Sequence, residues 1–315
     1  DPAFQVTAGK FKAPVGLERL QSANDIRMVA RGFPTQLAPN RDIGLQVAGG
    51  FGGDRLSYAV AYLNGSNDGG SSETFADVDL NDDKEYAARV FAHPFGDSES
   101  FALRGLGLGI AGTYTSQTGT TAQPLLLVFR TPAQSTFFRY RTGTTPTLAD
   151  GERARLAPQL YYYVGRFGLL SEYTTVSQDV SRTTTAGRRE DTLDTTAWQV
   201  QASWFLTGEE ESFRGFKPNN VFSLANDTWG AFELVARYQE LDPDDDALVG
   251  GAASFADPAN AARKATAYGL GLNWYLNENL KWVLNYDRTS FDGGAAGDAD
   301  REDEDVFLTR FALGF

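Results

Sequence analysis

Residues 195–206 read TTAWQVQASWFL, and the alternation within them decides the fold class. The even positions from Trp198 to Leu206 carry Trp, Val, Ala, Trp and Leu, whereas the odd positions from Gln199 to Ser203 carry Gln, Gln and Ser. Successive side chains of a β-strand point to opposite faces of the sheet. The stretch therefore predicts a strand with one apolar face and one polar face.

Segments with the same alternation recur from one end of the 315-residue chain to the other. We find twelve of them, and their lengths are close to the 9 to 11 residues or so with which a tilted strand crosses a bilayer. They lie near residues 3–11, 42–50, 55–64, 84–94, 105–115, 153–164, 167–177, 195–206, 230–241, 265–276, 280–291 and 305–315. The pattern predicts an all-β fold.

Two features indicate that lipid bathes the apolar faces, although a soluble β-sandwich would show the same alternation. Aromatic residues such as Trp198 and Trp204 cluster near strand ends on the apolar face, as in the girdles of membrane barrels. The last strand alternates apolar residues from Phe307 onward and ends on Phe315, like the C-terminal signal of outer-membrane barrels. We therefore predict a single antiparallel transmembrane β-barrel domain over residues 1–315, with the sandwich as the alternative.

Charge and composition exclude several classes of protein. A formal net charge of −13 argues against a general nucleic-acid binder, because phosphate contacts need a basic surface. The absence of Cys excludes disulfides, thiolate nucleophiles and Cys-based metal sites. The longest apolar runs, such as Leu125–Phe129, are far shorter than the roughly 18 residues of a membrane-spanning helix. The chain opens directly with Asp1 and a strand-like segment instead of a basic and apolar signal peptide, so we expect that such a peptide was removed or that residues are missing.

The connections alternate in length, as in a barrel with one short-turn rim and one long-loop rim. The predicted long loops are 12–41, 65–83, 116–152, 178–194, 242–264 and 292–304. Three of them, 65–83, 242–264 and 292–304, are acidic and are predicted to be solvated surface. The link 207–229 is longer than its place on the short-turn rim predicts.

The loop 12–41 is the basic exception in this acidic chain, and we predict that it constricts the pore. Residues 10–41 contain six basic and two acidic side chains. Basic groups beside the narrowest water would focus their field on a passing anion. The predicted anion-pathway residues, from this loop and from the polar strand faces, are Lys10, Lys12, Arg19, Arg27, Arg31, Arg41, Arg89, Arg153, Arg155 and Arg237.

A short helix could bring two of these arginines together. Residues 22–25 could cap such a helix, which would place Arg27 and Arg31, four positions apart, on one face. The alternative is that both arginines only pair with Glu18, Asp25 and the barrel wall. The wall itself carries both signs, which predicts a transverse field or cross-strand pairs. Its further charged positions are Lys281 and Arg310 against Glu85, Glu172, Glu233 and Asp287.

The loop 116–152 is a second long segment with a predicted role. It carries Arg130, Arg139 and Arg141 beside the apolar run 125–129, which suits either a plug inside the lumen or a contact with a neighbouring subunit.

The sequence predicts neither catalysis nor a cofactor. The sole histidine, His93, lies at a strand end beside a short turn and has no serine motif next to it. A barrel hydrolase would need Ser and His to cooperate as nucleophile and base.

Four stretches carry a family resemblance. They are GKFKAPVGLE at 9–18, ASWFLTGE at 202–209, WGAFELVARY at 229–238, and GLNWYLN at 271–277 running into Asn279. These stretches resemble the phosphate- and polyphosphate-selective porin family of Gram-negative outer membranes. Family members have sixteen strands, and the segment similar to 4–11 is the fifth. The resemblance therefore implies that about four N-terminal strands are absent from this chain, and a true twelve-stranded barrel is the alternative.

The resemblance also implies a function. It indicates a homotrimer in the bacterial outer membrane, in contact with lipid and lipopolysaccharide, through which small anions such as phosphate diffuse down their gradient. One alternative is a general or organic-acid porin with little anion preference. Another is a surface or structural protein whose barrel is closed by a plug.

Overall fold

Twelve antiparallel strands form one continuous sheet in this computed structural model, which describes residues 3–53, 55–65, 82–215 and 217–314. The strands are β1 (Gln5–Lys12), β2 (Arg41–Phe51), β3 (Leu56–Leu63), β4 (Glu85–Ala92), β5 (Leu106–Thr118), β6 (Val128–Arg130), β7 (Thr136–Arg139), β8 (Thr147–Val164), β9 (Phe167–Thr184), β10 (Gly187–Phe205), β11 (Ala231–Asp242), β12 (Ala262–Tyr275), β13 (Leu280–Gly293) and β14 (Glu304–Leu313). Each strand pairs with the next along the chain, except that β6 and β7 form a separate hairpin and β5 pairs with β8.

The twelve predicted segments are all strands of the large sheet, so the prediction of an all-β fold is confirmed. The prediction of a loop at 178–194 is wrong, because β9 and β10 continue through it as a hairpin of 18 and 19 residues. The reason is that alternate side chains remain buried beyond the predicted strand ends, as Val180 and Leu193 do. The predicted acidic loop 65–83 lies largely outside the described residues.

The sheet has its polar face inside and its apolar face outside. On β10, Gln199 is completely buried whereas Trp204 is 48% exposed. On β12, Asn273 is completely buried whereas Leu270 is 63% exposed. A water-soluble protein buries its large apolar side chains, so this inversion indicates that hydrocarbon surrounds the sheet.

The segment 13–40 lies against the polar face and contains two single-turn helices, α1 (Leu17–Leu20) and α2 (Pro34–Leu37). Side chains of β8, β9, β11, β12 and β13 all contact it, which requires the sheet to curve around it. A third short helix, α3 (Phe101–Arg104), precedes β5. In the described part of the chain, the helices are too short and too polar to span a bilayer.

An aromatic cluster fills the barrel where the segment 116–152 meets segment 13–40. Phe129, Phe137 and Phe138 of the β6–β7 hairpin are completely buried. The ring of Phe137 lies 5.8 Å from that of Phe33 and 5.9 Å from that of Phe291. The aromatic side chains of 116–152 therefore pack within this chain rather than on its outer surface.

Two glycines of β5 make room for one aromatic ring on the polar face. A Cβ at Gly109 would lie 2.3 Å from the ring of Phe91, and one at Gly107 would lie 2.6 Å from Tyr161. Phe91 is buried in this space. The glycine repeat of β5 therefore serves packing across the wall.

Candidate anion pathway

The wall holds the start of segment 13–40 through a single carboxylate. Glu172 of β9 accepts the backbone N–H groups of Leu17 at 2.5 Å and of Glu18 at 3.3 Å, at the beginning of α1. The first N–H groups of a helix have no partner within the helix, so the carboxylate satisfies donors that burial would otherwise leave unpaired. Gln199 donates to the same carboxylate at 2.8 Å and fixes its position.

The remainder of the segment is held in the same way, by wall side chains that bind its backbone. These contacts are Lys281 Nζ to Ile26 O (2.9 Å), Asn273 Nδ2 to Arg27 O (2.9 Å), Val29 N to Asn285 Oδ1 (3.0 Å), Arg237 Nη1 to Ala30 O (2.9 Å), Phe33 N to Gln239 Oε1 (2.7 Å) and Arg155 Nε to Leu37 O (2.9 Å). Wall side chains therefore bind backbone groups of segment 13–40 from Leu17 to Leu37, and these contacts hold the segment against the polar face.

The predicted helix that would align Arg27 and Arg31 is wrong. No helix lies between α1 and α2 in this described stretch, and wall side chains instead bond to the carbonyl oxygens of Ile26, Arg27 and Ala30 and to the N–H of Val29. The two guanidinium groups have different surroundings. Arg27 faces Glu211 and Glu233, whereas Arg31 donates to the carbonyl oxygens of Glu18 and Gln21.

Four of the candidate residues are buried and ion-paired. Arg27 lies 2.8 Å from both Glu211 and Glu233. The other salt bridges, with their N···O distances, are Arg155 with Glu85 (2.7 Å), Arg153 with Glu85 (3.2 Å), Arg237 with Asp287 (3.7 Å) and Arg237 with Glu18 (3.8 Å). A buried charge is tolerated when it is paired, so these four arginines brace the segment and the wall.

Arg89 is a half-buried member of the wall. Its Nε donates to Gln159 at 3.0 Å, and its guanidinium lies 4.6 Å from the centre of the Phe91 ring. The ring attracts the guanidinium through its quadrupole, so this contact helps to hold Arg89 on the wall.

Three basic residues gather around the C-terminal end of α1. Lys12 Nζ donates to Gln21 O at 2.6 Å, Arg31 Nη2 donates to the same oxygen at 3.0 Å, and Arg19 donates to Thr35 O. Within the described residues, no carboxylate lies within 4 Å of their charged groups. The partners that the structure shows for these three side chains are carbonyl oxygens, which carry no net charge and so do not neutralise them.

Mutual repulsion shows that these cations share one region. Burial and then the charge of Arg31 lower the pKa of Arg19 to about 10. Arg31 also acts electrostatically on Lys12 and on Arg310 of β14. Sequence reasoning placed Arg310 on the wall but not on the pathway, and only the structure shows its proximity to Arg31. We call Lys12, Arg19, Arg31 and Arg310 the unpaired cation cluster.

The structure places Lys10 outside the unpaired cation cluster and Arg41 at its edge. Lys10 is exposed and shares a strand face with Val6, which is 56% exposed on the apolar side. Arg41 is exposed at the start of β2, opposite Lys12 in the register. Its charge acts on Lys12, so it lies at the edge of the unpaired cation cluster.

A cavity of about 710 Å³ opens among the long loops and is strongly basic. Arg139, Arg141, Arg182 and Arg301 line it, together with one acidic residue, Asp257. Arg141 and Arg182 both donate to the carbonyl oxygen of Ser254, at 3.1 and 2.6 Å. This cavity is thus lined mainly by positive charge, although the chain as a whole is acidic.

Sequence reasoning missed Glu211 altogether. This residue lies in the link 207–229, whose unusual length was the available signal, and the link could not be aligned with any wall position. The structure brings its carboxylate to Arg27 from the short-turn side of the barrel.

Comparison with known proteins agrees with this architecture. The family model for phosphate-selective porin O and P matches residues 1–315. Porin O of Pseudomonas aeruginosa is 32% identical over 120 residues, which cover 38% of this chain and 26% of that protein. The chain thus aligns with about a quarter of this relative's length.

One solved structure shares the fold. The outer membrane channel DcaP of Acinetobacter baumannii superposes with a TM-score of 0.54 and 10% identity, over 98% of this chain and 71% of that one. Together with the family match over every residue, the polar interior and the apolar exterior, this likeness establishes the class of protein. The chain belongs to the phosphate-selective porin O and P family of bacterial outer-membrane β-barrel proteins, a membership that points to a channel rather than an enzyme.

Proposed function

We propose that the protein conducts small anions such as phosphate down their gradient through a water-filled path beside segment 13–40. One observation carries the proposal. Four buried arginines of the interior are paired with carboxylates, whereas the unpaired cation cluster has no carboxylate within 4 Å among the described residues. A low-dielectric wall focuses the field of such cations on the water that they face.

The proposed path begins at the arginine-lined cavity of the long-loop rim and continues past the unpaired cation cluster. Anions would be attracted first by Arg139 and Arg301 and then by Arg31 and Arg310. Lys10, which lies on the outward face, would contribute little. The four buried and ion-paired arginines would determine the shape of the constriction and would not contact the anion. They are Arg27, Arg153, Arg155 and Arg237.

The test is a measurement of reversal potentials in a salt gradient, with the full-length protein in planar bilayers. We expect Arg31→Ala and Arg310→Ala each to shift the reversal potential toward that of a nonselective pore. Arg104→Ala is the matched control. Arg104 is an exposed arginine of α3, and among the described residues it bonds to the carbonyl oxygens of Ser98 and Glu99. Equal permeation of cations and anions by the unmodified protein would instead support a general or organic-acid porin.

A closed barrel is the second candidate, because the aromatic cluster of Phe129, Phe137 and Phe138 fills part of the interior. In that case the protein would act through its surface loops. Single-channel recording separates the two, since a plugged barrel would give no conductance above that of the lipid.

We also propose that the protein assembles as a homotrimer that contacts outer-membrane lipid and lipopolysaccharide, as the family resemblance implies. The mass of the detergent-solubilised full-length protein tests the trimer, and a monomeric mass would reject it. We propose no catalytic activity and no cofactor.

A further inference from the structure

The long link 207–229 of the short-turn rim contacts segment 13–40. Arg27 Nη2 donates to Glu211 at 2.8 Å and to the carbonyl of Ser212 at 2.6 Å. Gln21 Nε2 donates to the carbonyl of Phe213 at 2.8 Å. Segment 13–40, which enters from the long-loop rim, is therefore held from the opposite rim as well.

Glu211 is itself fixed to the barrel. Its backbone N–H donates to Gly165 O in the turn between β8 and β9, at 2.6 Å. The neighbouring Phe213 ring stacks on Tyr161 of β8 at 5.0 Å between centres. The link is thus anchored on the wall close to its contact with Arg27. A change in the protonation of Glu211 therefore acts on the position of segment 13–40.

The buried triad of Arg27, Glu211 and Glu233 contains one basic and two acidic side chains. The guanidinium of Arg27 lies between Glu211 and Glu233, and all three side chains are almost fully buried. Glu233 is already satisfied by Tyr275 at 2.6 Å and by Asn273 at 2.9 Å. When both carboxyls are ionised, the buried triad carries a net negative charge, which burial disfavours unless a proton is bound.

The other charged groups around the triad do not remove this imbalance. Asp25 of segment 13–40 and Lys281 of β13 carry opposite charges, and Lys281 is held on Ile26 O. Tyr163 of β8 and Tyr275 of β12 face the triad as neutral groups. Arg310 of β14 lies beyond Lys281 and acts on that residue.

We propose that Glu211 is a positioning residue for the constriction, which holds Arg27 and segment 13–40 in place when protonated and weakens that hold when ionised. The inference rests on the proposed channel function and adds a control of the same constriction by protons. Burial, opposed by Arg27 and reinforced by Glu233, raises the pKa of Glu211 to about 7.

The direction of the pH effect follows from linkage. A carboxyl whose pKa is raised in the held arrangement binds its proton more tightly there than when released, so protonation favours the hold. The hold is complete below the ordinary pKa of 4.5 and is lost as the pH rises through about 7. We therefore expect the constriction to loosen in mildly alkaline solution.

The experiment records single-channel conductance and current noise of the full-length protein between about pH 5 and about pH 9. Both should rise through neutrality in the unmodified protein. Glu211→Gln, which keeps the shape but cannot ionise, should remain at the low-pH level throughout. Glu210→Gln is the matched control, because Glu210 is the exposed neighbour in the same link. The proposal is overturned if Glu211→Gln retains the pH profile, or if the unmodified protein has none.

Two further measurements separate this inference from the proposed function. Arg31→Ala should change the reversal potential and leave the pH profile intact. An unchanged reversal potential in this variant would contradict only the proposed function. If no current is found, crosslinking still tests the contact, because the chain has no native Cys. A Cβ at Gly215 would lie 2.9 Å from the Asp25 carboxylate. The double variant Asp25→Cys with Gly215→Cys should therefore crosslink on oxidation in the folded protein at acid pH, and a failure to do so would contradict the hold.

Discussion

The carboxylate of Glu172 accepts the backbone N–H of Leu17 at 2.5 Å, so a side chain of the wall fixes the start of segment 13–40. The contact joins residues that are 155 positions apart in the chain. The wall thus determines where the segment stands, and the segment's own helical propensity contributes little.

We expect Glu172→Ala to raise the current noise and the mean conductance. The substitution leaves two buried N–H groups unpaired, at a cost of roughly 1–3 kcal/mol for each. Glu172→Gln keeps an acceptor and should have a smaller effect. Recordings with Glu190→Ala, at the exposed tip of the β9–β10 hairpin, provide the control, and identical traces for Glu172→Ala and this control would contradict the anchoring role.

Glu85 should be among the most sensitive positions for stability. It neutralises Arg153 and Arg155 at 3.2 and 2.7 Å inside the wall. Breaking a buried pair by removing one partner costs about 3–5 kcal/mol, because a charge is left uncompensated. Glu85→Ala should therefore lower the unfolding temperature of the detergent-solubilised barrel far more than Glu99→Ala, which alters an exposed side chain. Equal temperatures would show that water or an ion replaces the carboxylate.

Phe137→Ala should weaken the contact between the β6–β7 hairpin and segment 13–40. The ring is completely buried between Phe33 and Phe291, and loss of such a ring costs roughly 3–5 kcal/mol. We expect a lower unfolding temperature together with a larger conductance. Phe101→Ala, at an exposed position, is the control, and an unchanged conductance would mean that the hairpin does not narrow the path.

Leu270→Arg tests the assignment of the outer face to lipid. Leu270 is 63% exposed near the middle of β12, and an arginine on the lipid face of a barrel costs about 2–4 kcal/mol at the bilayer midplane. Leu224→Arg places the same side chain at a position that is 79% exposed in the link 207–229. Only Leu270→Arg should reduce folding into vesicles, and equal folding of both variants would argue that water bathes this face of β12.

The strands were predictable because their signal is local. The alternation at 195–206 requires only that neighbouring side chains face opposite solvents, and Gln199 and Trp204 are placed as that rule demands. The hairpin at 178–194 was missed because its outward positions carry Thr, Ser and Asp rather than apolar residues, so the contrast between the faces disappears beyond the membrane.

The site was less predictable because its contacts are distant in sequence. The basic character of 12–41 was evident, yet no local rule could show that Arg27 meets Glu211 and Glu233, 184 and 206 positions away. The wall residues were recognised as charged, but their pairing depends on the curvature of the sheet. The division between paired and unpaired cations therefore emerged only from the structure.

The pairing of the buried arginines has a consequence for the evolution of these barrels. Carboxylates of the framework pair with Arg27, Arg153, Arg155 and Arg237. Among the described residues, no carboxylate lies within 4 Å of the guanidinium groups of Arg19, Arg31 and Arg310. If the proposed function holds, replacing one of the latter changes which ions pass and leaves the charge balance of the framework unchanged. Under that proposal, single substitutions can alter ion preference while the scaffold stays the same.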